Sequence, residues 1–149
     1  MHRPNGVRVM LAGFVGTTVM TLMMYFVAPL LLGAPMDIAA LLGDVTGIGW
    51  TGGMALHFLL GSVLFPLAYM AGFEWLPGEG WSRGLVFGLL LWLLAESLVM
   101  PLAGAGFFHS GTGGAMAAIV SLLGHAVYGL LLGGIAGRPV AATPARVGV

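Results

Sequence analysis

Four long apolar runs constrain this chain more than any other feature. They cover roughly residues 9–32, 50–72, 84–104 and 114–137. Each is long enough to cross the hydrocarbon core of a bilayer as a helix, which takes about 20 residues. The other spanning solution is a closed barrel, which would alternate apolar and polar residues. These runs are continuous instead, so the sequence predicts helices. Only 7% of the chain is charged against 59% hydrophobic. A soluble domain carries about 25% charged residues, so these few charges cannot clothe a water-facing surface. The expectation is an all-α integral membrane protein: a four-helix transmembrane domain over residues 1–138 and a C-terminal tail over 139–149. The first run is longer than the apolar part of a cleaved signal and reads as a span that stays.

The charges that remain give the bundle a direction. Its basic residues are Arg3, Arg8, Arg83, Arg138 and Arg146, all in the N-terminus, the second loop or the C-terminus. The first and third loops have none, and the first carries Asp37 and Asp44. By the positive-inside rule both termini are expected on the cytoplasmic side of a prokaryotic inner membrane. Trp50, Trp75 and Trp81 fall near span ends, where indole prefers the headgroup region. In the first loop, Pro35 suits a first helical turn and Gly43 a stop, so a short surface helix is expected between them. The third loop, 104–114, is glycine-rich and expected to dip toward the bundle. The tail after Pro139 is expected to be disordered.

The two halves of the chain resemble each other. A shift of 72 residues pairs Gly16 with Gly88, Val27 with Val99 and Pro29 with Pro101; a shift of 68 pairs His57 with His125 and Gly61 with Gly129. Each half holds two spans, so this repeat predicts two tandem, parallel hairpins with His57 and His125 at equal depth.

Residues four apart share a helix face. On each span one such row is small or polar: Ala12-Gly16-Met20-Met24, Gly53-His57-Gly61, Gly84-Gly88-Trp92-Glu96 and Ala117-Ser121-His125-Gly129-Gly133-Gly137. Small residues at this spacing let backbones approach closely. Gly16, Gly61, Gly88, Gly129 and Gly133 are therefore the candidate helix-packing residues. The same rows hold His57, Glu96 and His125, the ionisable side chains inside the spans. A charge there costs several kcal/mol unless paired, so Glu96 needs a partner or a proton, and a histidine is the natural candidate.

This trio has several readings. It can be structural glue, hydrogen-bonding across helices. The two histidines can ligate a haem b axially. With Glu96 they form an N/N/O set for a metal, to which Met20, Met23 and Met24 could add soft ligands. They can also relay protons or bind a quinol. Otherwise ten methionines in an apolar chain read as adaptable filling. His109, in the outer glycine loop, reads as interfacial. Cysteine is absent, which excludes disulfides, thiolate metal sites and cysteine nucleophiles. No phosphate-binding glycine loop, His-Glu-x-x-His motif or basic tract for nucleic acid occurs.

Four segments carry a likeness to known sequences: Ala28 to Gly43, Leu56-His57-Phe58 with Gly61, Arg83 to Trp92, and Gly124-His125-Ala126-Val127-Tyr128-Gly129. Over about residues 8–137 the chain resembles a family of small four-span prokaryotic membrane proteins of unknown function. That resemblance implies an association with terminal oxidase or other respiratory genes, and hence a small accessory subunit without catalysis of its own. Its partners would be the lipid bilayer and other membrane subunits, or further copies of itself. The alternative is a self-contained bundle that binds haem b or a quinol, or a small homo-oligomeric transporter.

Overall fold

The computed structural model describes residues 4–137. The expectation of a disordered tail, and the positions of Arg3, Arg138 and Arg146, fall outside the described residues. Within them the chain is helical, with four helices long and apolar enough to cross a membrane: α1 (Gly6–Leu32), α3 (Gly49–Ala71), α4 (Gly80–Leu102) and α5 (Gly114–Ala136). A short helix, α2 (Ile38–Thr46), lies in the first loop. The end of the bundle that carries the first and third loops is called the upper end below.

Large apolar side chains face outward. Phe26, Leu30, Leu90, Leu98 and Ile119 are exposed, while Thr17, His57, Glu96 and Ser121 are buried. That is the reverse of a soluble bundle. It follows from a solvent as apolar as the core, where close packing and polar contacts hold helices together. Helices α4 and α5 pack backbone against backbone through glycine. A Cβ at Gly84 would collide with the Gly129 carbonyl and the Gly133 backbone, and one at Gly88 with the His125 carbonyl. Gly16 accommodates the Tyr128 ring, and Gly61 the Thr17 side chain. Helix α1 thus lies between α3 and α5. Helices α3 and α4 meet lower down, where the Tyr69 and Phe87 rings are 5.3 Å apart.

Three of the four spans contain a proline, and each proline has reshaped its helix. In an α-helix the ring would strike the carbonyl four residues back. The chain widens by one residue just before it. Ala28, Phe65 and Met100 donate instead to the carbonyls five residues back, Met23, Leu60 and Ala95. Helix α5 has no proline and runs uninterrupted for 23 residues. Because proline cannot donate, the carbonyls of Met24 and Gly61 lose their helical partners. Others take them: the Met36 N–H donates to Met24 at 3.1 Å, and the Tyr128 hydroxyl to Gly61 at 2.7 Å. Glu96 holds the same position relative to Pro101, so the third widened turn carries a carboxyl into the interior.

Tyr128 therefore ties α5 to the break in α3. Tyr128→Phe is expected to destabilise the bundle by about 1–3 kcal/mol, the cost of a buried unpartnered carbonyl. Pro66→Ala, which restores a backbone donor, should recover part of that loss. Unfolding in mixed micelles measures both, and additive effects would break the link between them.

The surface helix forms later in the sequence than expected. Asp37, not Pro35, caps its start by accepting from the Ala40 N–H, and Gly47, in the left-handed region at φ 72°, ends it. Gly43 sits inside the helix. A Cβ there would strike the backbone of Gly49 and Trp50, so this glycine serves close packing of α2 on α3 rather than termination.

Candidate functional site: a cavity beneath the upper loops

A cavity of about 710 Å³ opens in the upper half of the bundle. All four spans line it, together with residues of α2 and the third loop. Its wall is largely apolar, and its polar members include His57, His125, His109, Ser121 and Asp37. Met20, Met24, Met36, Met100 and Met116 also line it; unbranched thioethers give such a wall an adaptable shape.

The hydrogen bonds fix which histidine nitrogens remain open. Thr21 Oγ1 donates to the Thr17 carbonyl at 2.7 Å. Its contact with His57 Nε2 at 3.0 Å is therefore an N–H donated by the ring. A neutral His57 then keeps Nδ1 as an acceptor. His125 Nδ1 lies 2.9 Å from the Ser121 carbonyl, which can only accept. His125 thus donates through Nδ1 and keeps Nε2 as its acceptor. Both rings line the same cavity, each with one open lone pair.

The structure divides the expected trio. Glu96 does not join His57 or His125. It is fully buried, and its Oε2 lies 2.8 Å from Nδ1 of His109. Sequence spacing missed His109 because the third loop had to be folded first. Phe108 and His109 both take left-handed backbone angles, φ 50° and 57°, which cost about 1 kcal/mol or more each outside glycine. The Phe108 ring stands edge-on to Trp92 at 5.5 Å, and Trp92 Nε1 donates to the Ala118 carbonyl at 3.1 Å. These contacts hold His109, 7% exposed, at the roof of the cavity. Glu96 was a carboxyl in want of a histidine, and a loop with glycines at 104, 106, 111, 113 and 114 was able to bring one.

The donor set also tests the metal and haem readings. Among the described residues no group of three or more His, Cys, Asp or Glu side chains is placed to hold a metal ion. A bis-histidine haem needs an open nitrogen clear of the backbone on each ring. His125 offers Nε2, but His57 has committed its Nε2 to Thr21, leaving the more hindered Nδ1. The residues present do not fit that group.

At the outer rim, Asp37 gathers three donors. Tyr25 donates at 2.5 Å, the Trp50 indole at 3.1 Å and the Ala40 amide at 2.9 Å. Burial pushes its carboxyl up, but the bonds from Tyr25, Ala40 and Trp50 outweigh that and hold it below the usual range. A carboxyl lowered on folding contributes stability above its unfolded value, and loses it as pH falls through its folded value. Amides of α2 are therefore expected to lose protection, relative to their intrinsic exchange rates, on acidification. Asp37→Asn should flatten that dependence in hydrogen exchange, and an unchanged slope in the variant would reassign it.

The fold and site define a multi-pass membrane protein with a lined internal cavity. The chain belongs to a family of unknown function, DUF6789, whose family model matches residues 4–146. Comparisons with curated proteins and with solved structures gave no match.

Proposed function

We propose that this protein is a self-contained bundle that binds a quinol in its upper cavity. The cavity carries the reading. Its volume falls in the roughly 300–1,000 Å³ range of small-molecule sites, and its wall has their usual make-up, apolar with a few convergent polar groups. The open lone pairs of His57 and His125 are acceptors on different helices. A hydroquinone is a flat apolar ring with a hydroxyl donor at each side, the chemistry that two such acceptors suit. A subunit that only packs against neighbours requires no such space.

The test is titration of the detergent-solubilised protein with a short-chain benzoquinol under reducing conditions. Saturable binding is expected. His125→Ala should weaken it about five- to tenfold, the value of one hydrogen bond of about 1 kcal/mol. Absence of saturable binding would sink the reading.

The respiratory setting implied by the family resemblance suits such a ligand, because quinols are mobile carriers in membranes. Work as an accessory to a larger complex is compatible with binding. We also read the spans as two tandem parallel hairpins with both termini cytoplasmic. The widened turns at Met23–Val27 and Ala95–Val99 support this, being offset by the same 72 residues as Pro29 and Pro101. The likeness is weaker in the second members: Pro66 of α3 corresponds to Gly134 of α5. The arginines support the orientation.

A further inference from the structure

The pair at the cavity roof is not used by the binding mode just described. Glu96 Oε2 is bonded to His109 Nδ1, while Glu96 Oε1 is buried with no hydrogen-bond partner. His109 lines the cavity and Glu96 does not. Among the described residues no protein atom takes His109 Nε2, so the cavity is the space left to that nitrogen. This is the arrangement of an imidazole held by a sealed carboxylate on one side and open to a ligand on the other. Its proton content sets its sign toward the ligand. With one shared proton, Nε2 is an acceptor. With a second proton on the ring, Nε2 becomes a donor, and Glu96 beside it neutralises the added charge.

We propose that the Glu96–His109 pair is the proton-bearing anchor of the cavity, which takes up one proton when the carbonyl form of the ligand binds and none when the hydroxyl form binds. This rests on the quinol-binding reading. A quinone oxygen only accepts, and the open nitrogens of His57 and His125 also only accept while those rings are neutral. The carbonyl form thus needs donors: the Ser121 hydroxyl in the wall is one, and the pair can supply another. The hydroxyl form brings its own donors to the acceptors of His57 and His125 and needs none from the pair. No bond within the ligand is made or broken; one proton moves from water to His109 Nε2.

Other titratable groups face the same space. On α5, which packs against the third loop, these are His125 and Tyr128; across the cavity stand His57 and Asp37, while Glu96 on α4 reaches it only through His109. Any of them can lend a pH dependence, so the test isolates the pair. A short-chain benzoquinone and its hydroquinone are titrated separately into wild-type, Glu96→Gln and His109→Gln proteins across a pH series. The wild type should bind the quinone more tightly as pH falls, approaching tenfold per pH unit for one proton, while the hydroquinone shows no such gain. Both variants should still bind the hydroquinone and lose the quinone slope. A wild-type quinone affinity that ignores pH, or a slope that survives in either variant, would overturn this proposal and leave the binding reading standing. Failure of both ligands to bind the wild type overturns the two together.

Discussion

Gly84→Leu is expected to separate α4 from α5 and unfold the lower half of the bundle. The side chain would have to occupy the place of the Gly129 carbonyl and the Gly133 backbone. Backbone cannot swing aside as a flexible side chain can. Overpacking in a well-filled core costs about 1–3 kcal/mol, and a collision with helix backbone on this scale belongs at or above the top of that range. The consequence is larger in lipid than in water for a specific reason. Parting two helices in a bilayer exposes no apolar surface to water, so nothing but the contact itself holds them. Gly133→Leu, on the facing helix, should do the same, and the two together should cost little more than either alone. Reversible unfolding in mixed micelles, with helix separation read by energy transfer, measures this. Wild-type stability in Gly84→Leu would mean that the two helices do not touch there.

His109→Ala is expected to cost about 3–5 kcal/mol if Glu96 is ionised, the usual penalty for stripping the partner from a buried charge. Glu96 would then keep two buried oxygens with no donor, because Oε1 has none already. Removing both side chains, as Glu96→Leu with His109→Ala, should cost less than the single change, since no charge is left behind. The size of the single loss also locates the proton. Across-helix hydrogen bonds between neutral groups in membranes average about 0.6 kcal/mol. A loss near that value would put the proton on Glu96 and leave His109 neutral. The third loop should loosen in either case, because the pair offsets the left-handed strain at Phe108 and His109. Faster exchange of the amides around 104–113 would report it.

Four spans were legible in the sequence because a bilayer imposes one length and one polarity on whatever crosses it. The predicted runs and the observed helices agree within a few residues at most of their ends. The small-residue rows were legible for a similar reason: only glycine permits backbone against backbone, and its spacing is fixed by the helix. The sequence also required that Glu96 have a partner or a proton, since an unpaired charge in hydrocarbon is too costly. It did not determine which histidine. His57 and His125 share the helical register that spacing rules can read, and they were the nearer guess. His109 lies in a loop with no register, and its position depends on consecutive left-handed residues, glycine hinges and an aromatic contact with Trp92. The prolines were visible too, but not their effect. That Pro66 would free the Gly61 carbonyl for Tyr128, 67 residues away, depends on how α5 lies across α3. Local rules set by lipid and by the helix fixed the elements; the cavity, its open nitrogens and the Glu96–His109 pair exist only because distant segments meet.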